Sequence, residues 1–321
     1  MKRLIFLIAT LLLAGCANDA DVLSIQTETL PTENVALGKT VHILTQPNED
    51  PRTVLAMEAA AKQAAERFDF KIEISVPTSA TDALKQLRAL TDQPEIGGAI
   101  VASQSAKMGK ALSKVSAAGI PTVGIGDNSA AALPFGALGF VGVTDTGTGN
   151  AVGSRFKAAN KKTLLCITST SASKSREVVL CRAAGEILES SSVISVKVSA
   201  KAAPENIRKA IASDKSVDSI LLANPKLIST FNKARENIVR DLTVGVLGYS
   251  PTLENELRNG NILFMTDDQE AMQARYAVDM LGTFLTTAGR VGNGNPVLTG
   301  PDLVTAATVD AVVLARKDLL R

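Results

Sequence analysis

The chain is expected to be an α/β protein made of two doubly wound lobes, each a parallel sheet covered on both faces by helices. Three observations predict this. Short apolar runs alternate with stretches of helical spacing from residue 39 onward, the pattern of strands joined by helical crossovers. The apolar runs are continuous rather than alternating, as expected of strands buried on both faces. About a dozen such strands are too many for one small sheet and divide more naturally between two. A composition of 45% apolar and 21% charged residues supports cores of that size.

The elements follow in order. Residues 39–45 (KTVHILT) read as a strand, and residues 51–68 as a helix opened by Pro51, a residue suited to a first helical turn. A strand at 71–76, a helix at 82–90, a strand at 98–102 (GAIVA) and a helix at 106–118 stopped by Gly119 come next. Strands at 122–125 and 139–143 precede a helix at 149–159. The pattern continues with a strand at 162–168 (KTLLCIT), a helix at 175–188, a strand at 194–198 and a helix at 204–213. Residues 219–223 (SILLA), 242–247 and 262–265 read as strands, with helices at 225–237, 253–259 and 269–286. Residues 303–307 form the last expected strand. In such sheets ligands bind beyond the carboxyl ends of the strands. The loops after Thr45, Ala102, Ile125, Val143, Thr168, Ala223, Leu247 and Met265 are therefore the ones to watch.

The N-terminus has its own logic. Met1, Lys2 and Arg3 lead into the apolar run 4–13 (LIFLIATLLL), which is too short for a stable membrane span and reads as a signal segment. Leu13-Ala14-Gly15-Cys16 resembles the lipobox of bacterial lipoproteins. That resemblance implies a signal peptide over 1–15, acylation of Cys16, and an extracytoplasmic domain held to the lipid bilayer. Residues 16–37 are polar without a period and are expected to serve as anchor and tether.

Charge and cysteine usage narrow the function. The sequence carries 34 basic and 32 acidic residues. Loss of Lys2 and Arg3 with the signal would leave an even balance, so no electrostatic case for nucleic acid exists. The single His42 lies inside a strand-like run, so neither a histidine metal cluster nor a Ser/His/Asp set can be built on it. Gly147-Thr148-Gly149 with Gly153 lacks dinucleotide-loop spacing. No enzyme activity, cofactor or metal is expected. Cys166 falls in a strand and Cys181 in a helix. A helix axis lies about 10 Å from its sheet, whereas a disulfide needs Cα atoms within about 7 Å, which favours two buried thiols.

Four stretches carry a family resemblance over residues 38–315: Gly119-Ile120-Pro121-Thr122-Val123, Val143-Thr144-Asp145 with Gly149 and Gly153, Arg182-Ala183-Ala184-Gly185, and Val246-Leu247-Gly248-Tyr249-Ser250-Pro251. They resemble the type I periplasmic binding proteins, in particular the ribose/galactose-binding group of sugar ABC transporters. The resemblance implies two lobes joined by three crossings near Thr144, Thr266 and Gly300. It divides the chain into 38–144 plus 268–292 and 145–267 plus 293–315. It also implies a monomer that closes on a small polar, sugar-like ligand and docks on an ABC permease or a membrane sensor.

Carried over residue by residue, the ligand contacts fall on Gln46, Asp50, Arg52, Asp127, Asn128, Asp145, Arg182, Asn224 and Asp267 or its neighbour Asp268, with Tyr249 and Phe135 as aromatic platforms. Carboxylates, amides and Arg suit hydroxyls, which both donate and accept. Asp145, Asn224 and the Asp267–Asp268 pair are equally suited to capping the helices they precede. Two departures stand out: Arg52 and Thr53 occupy the place of the family's stacking aromatics, and Leu247-Gly248 replaces a Phe-Asp pair. A degenerate member acting as an interaction module is the third reading. A lactose-repressor-like regulator is excluded, because a lipobox stands where its DNA-reading helices would begin.

Overall fold

The computed structural model describes residues 38–102, 105–172, 175–197 and 200–318. The lipobox with Cys16 and the tether therefore lie outside the described residues. Among the described residues no helix is long and apolar enough to cross a membrane.

Two six-stranded sheets organise the chain. The first contains β1 (Thr40–Leu44), β2 (Lys71–Ser75), β3 (Ile96–Ala102), β4 (Thr122–Gly126) and β5 (Gly139–Gly142). The second contains β6 (Thr163–Thr168), β7 (Ser190–Ser195), β8 (Ser219–Leu222), β9 (Thr243–Val246) and β10 (Phe264–Asp267). Each sheet closes with a strand from late in the chain: β11 (Val297–Leu298) pairs parallel with β5, and β12 (Asp302–Val304) pairs antiparallel with β10. The first sheet is ordered β11-β5-β4-β3-β1-β2 and the second β12-β10-β9-β8-β6-β7. The two-lobed α/β fold is thus present. Strand β11 brings Val297–Leu298 into the first sheet.

Alternation along each strand assigns side chains to two helical layers. On the first sheet, Val41, Ile43, Ile100 and Val123 pack with Met57 and Ala61 of α1 (Pro51–Ala65) and Val278 and Leu281 of α9 (Glu270–Thr287). The opposite face packs Leu44, Val101 and Phe140 on α2 (Ala80–Ala89) and α3 (Ala106–Ala117). On the second sheet, α4 (Asp145–Ala158) and α5 (Arg176–Gly185) cover one face. The other face is covered by α6 (Ala203–Ser213), α7 (Ile228–Arg235), α8 (Glu254–Arg258) and a last helix, α10 (Val309–Lys317). Strand β7 starts four residues before its expected position, because an edge strand reading SSSVIS is mostly exposed and needs no apolar run.

Cys166 and Cys181 form a disulfide with Cα atoms 5.8 Å apart, which corrects the expectation of two thiols. The axis spacing was the wrong measure. A Cα on the sheet-facing side stands about 2.3 Å nearer than its axis, and α5 brings the small residues Cys181, Ala184 and Gly185 into its buried side. At Gly185 an added Cβ would lie 2.6 Å from the Ser191 Cβ on β7, so the helix end rests directly on the sheet.

Candidate functional site

The chain passes between the lobes three times. The first passage runs from β5 into α4, the second from β10 into α9, and the third from β11 to β12. Thr144 caps α4, its hydroxyl accepting from the Gly147 N–H at 3.2 Å, so Asp145 is not needed as a cap. At the second passage Gln269 adopts a left-handed backbone, φ 57°, a conformation that side chains other than glycine seldom take. Its amide donates to the Thr299 carbonyl at 2.6 Å, and the Thr299 hydroxyl donates to the Asp268 carbonyl at 3.3 Å. Gln273 donates to the same Asp268 carbonyl at 2.7 Å. The second and third passages are thereby tied together.

Arg176, the first residue of α5, is the centre of the site. Its Nε lies 2.9 Å from Asp127, which follows β4 in the first lobe, and 3.2 Å from Asp145 at the first passage. A terminal nitrogen lies 2.9 Å from Asp268 at the second passage. One guanidinium thus joins both lobes and two passages. Burial works against its charge, but Asp268, Asp127 and Asp145 prevail and hold its pKa above the ordinary value, while 37% of the side chain still meets solvent. Burial raises Asp145, and Asp127 and Asp268 add to the rise, while Arg176 opposes it. Next to Arg176, Glu177 accepts from the Ser169 hydroxyl and from the Asn224 side-chain amide, both at 2.6 Å.

A second cluster braces the passage from β10. Asp267 is fully buried and accepts from the Gln269 N–H at 3.0 Å and from Arg316 of α10 at 2.7 Å. Arg316 lies 3.8 Å over the Tyr249 ring, whose hydroxyl donates to Glu254 at 2.6 Å. Burial, then Asp267 and Asp268, push the Glu270 carboxyl up to about 8 against the pull of Arg316, although 30% of that side chain stays accessible.

The residues expected from sequence fall into three groups. Asp127, Asp145 and Asn224 converge around Arg176 and Glu177, and Asn224 also caps its turn by accepting from the Lys226 N–H at 3.0 Å. Half-buried Asn128 follows Asp127 at the same strand end. Gln46, Asp50 and Arg52 sit exposed at the carboxyl end of β1, with Asp50 capping α1 through the Arg52 and Thr53 N–H groups. Four expectations need correction. Arg182 is exposed in the last turn of α5, about 9 Å along the axis from Arg176, and Arg176 is the arginine that meets Asp127, Asp145 and Asp268. Asp267 is consumed by Arg316, and Asp268 is the residue that faces Arg176. Arg316 covers the Tyr249 ring. Phe135 lies against α3, since a Cβ added at Gly109 would collide with its ring.

Among the described residues no group of three His, Cys, Asp or Glu side chains is placed to hold a metal ion. Two surface hollows of about 450 and 360 Å³ lie at the opposite, amino-terminal edge of the second sheet, beside Lys161–Lys162 and Asn237–Arg240. The residue cluster, rather than hollow size, marks the site, because it stands where strands of both lobes end.

No protein-family model and no curated protein matches the chain. Solved structures do. A carbohydrate transporter from Acidothermus cellulolyticus, in complex with myo-inositol, aligns with a TM-score of 0.71 at 20% identity, over 88% of this chain and 100% of that one. A periplasmic ribose ABC transporter structure from Conexibacter woesei gives 0.72 at 17% identity, over 87% and 96%. An arabinose binding protein from Geobacillus stearothermophilus gives 0.69 at 16%, over 86% and 99%. The chain has the type I periplasmic binding protein fold. Identities this low establish the architecture, and the ligand has to be argued from the residues.

Proposed function

We propose that the chain is an extracytoplasmic solute-binding protein, anchored through acylated Cys16, that closes its two lobes on a small, polar, sugar-like ligand and presents it to an ABC permease. The observation that carries this reading is the convergence of Asp127, Asp145, Arg176, Asn224 and Asp268 from both lobes onto the line of the passages. Carboxylates accept from ligand hydroxyls, and Arg176 and Asn224 donate to them, so both halves of each hydroxyl are served. Closing the lobes removes water and strengthens those bonds. The two aromatic platforms named from sequence are engaged elsewhere, which favours recognition of ligand edges over stacking on a ring face.

A thermal-shift screen of the chain from Ala17 with an external dye tests this reading against pentoses, hexoses, polyols, nucleosides, amino acids and small acids. A ligand at 100 times its Kd adds about 2.7 kcal/mol, or several degrees. A cooperative melt that no solute moves would refute the reading and favour an interaction module.

A further inference from the structure

The Cys166–Cys181 disulfide flanks the loop that feeds the cleft. Cys166 stands two residues before the end of β6, and Cys181 five residues into the chain beyond Arg176. Both are fully buried, and neither is among the groups that meet at Arg176. The bond fixes two things at once. It sets how closely α5 approaches β6, with Cα atoms 5.8 Å apart. It also sets the rotation of α5 about its own axis, because Cys181 must face the strand. Five residues earlier, Arg176 then points about 140° away around the helix, and Glu177, four residues earlier, about 40° away. A rotation by a single residue, about 100°, would carry Arg176 off its three carboxylates.

We infer that the Cys166–Cys181 disulfide is a positioning pair, which aims Arg176 at Asp127, Asp145 and Asp268 and Glu177 at Ser169 and Asn224, so that ligand affinity depends on a bond that touches no ligand. A plain staple for the fold is the competing account. β6 is buried along its whole length, and α5 already packs closely on α4, where a Cβ on Gly149 would meet the Leu180 carbonyl at 3.0 Å. The elements are therefore held together without the bond, and the bond adds a covalent constraint, on the sheet side, to the direction in which the helix's first residue points. The inference rests on the solute-binding reading for its consequence, but not for its geometry.

The test is a double-mutant cycle on Arg176→Gln and Asp127→Asn, read by urea unfolding of the full chain. It is run in the native background and in Cys166→Ser/Cys181→Ser, with Cys166→Ala/Cys181→Ala as a second background. The pair Arg316 and Asp267, which lies outside the loop, serves as the internal reference. In the native background the Arg176–Asp127 coupling is expected to change the unfolding constant about fivefold. In both cysteine-free backgrounds it falls to about one, while the Arg316–Asp267 coupling is unchanged. Equal Arg176–Asp127 coupling in all backgrounds overturns the inference, and so does a parallel fall of both couplings. A chain that cannot fold without the bond also overturns it, since the bond would then serve the fold. No ligand enters these measurements. If no solute in the panel binds the native chain, the solute-binding reading fails while the cycle still decides the positioning. If a panel solute binds the cysteine-free chain as tightly as the native one, the positioning fails and the solute-binding reading stands.

Discussion

Replacing Arg176 by Ala removes a group shared by both lobes and two passages, and its cost follows from the exposures. Two unit charges 4 Å apart are worth about 1 kcal/mol in water and about 4 kcal/mol at an effective dielectric of 20. The Arg176 side chain is 37% exposed, Asp127 and Asp145 are each 30% exposed, and Asp268 is 20% exposed, so solvent screening pulls each pair toward the lower figure. Three such pairs, less the desolvation of the guanidinium and the mutual repulsion of the carboxylates, leave a net of about 2 kcal/mol. For a chain of this size that is a fall in Tm of about 4 °C at pH 7. The pH dependence fixes the sign. Asp145 already stands above its ordinary value because burial outweighs Arg176, and loss of Arg176 raises it further. A carboxyl raised by folding destabilises as pH rises through its folded value and is harmless below its unfolded one. The deficit should therefore be largest near pH 7 and shrink toward pH 4 in paired thermal melts of variant and wild type. An unchanged Tm at pH 7, or a deficit that grows in acid, would refute the reasoning.

Asp267→Ala should cost about 3 kcal/mol in urea unfolding, because it leaves the nearly buried Arg316 charge only its 3.7 Å contact with Glu270; a loss under about 1 kcal/mol would mean that Glu270 alone balances Arg316. Glu270→Gln removes a carboxyl that folding raises from 4.5 to about 8. The native chain loses stability as pH rises across that window, so the variant should gain on it by about 1 kcal/mol between pH 5 and pH 8, and parallel stability curves would contradict this. Gly153→Ala places a Cβ 2.8 Å from the Ile187 Cβ and should destabilise the α4–α5 contact by about 1 to 3 kcal/mol, a cost visible as a lower urea midpoint.

Much of the fold was legible because strands buried on both faces carry no polar interruption. Ser219–Leu222 and Thr163–Thr168 are examples, buried at every position. What escaped had weaker or competing signals. Strand β11 is two residues long, too short for any period. Helix α10 does carry one, with Val309 and Val312 entering the core at a three-residue spacing, yet no helix was expected after residue 307. The candidate site was legible as a set of strand ends, and the family resemblance singled out Asp127, Asp145 and Asn224 among them. Arg182 drew attention through its Arg-Ala-Ala-Gly stretch. However, only the first turn of a crossover helix faces the crevice, and Ser175 as N-cap marks Arg176 as that turn's opening residue. The choice of Asp268 over Asp267 depends on Arg316, seen only once α10 has folded back, so no local pattern separates the two.

The most direct test of the account is titration calorimetry of wild type and Asn224→Ala with the solutes of the screening panel. One polyhydroxylated solute is expected to bind the wild type with a Kd in the micromolar range or below, and the variant about tenfold more weakly for the loss of one hydrogen-bonding group. Absence of any binding tighter than about millimolar, or an affinity untouched by Asn224→Ala, would contradict the assignment of this cleft as the ligand site.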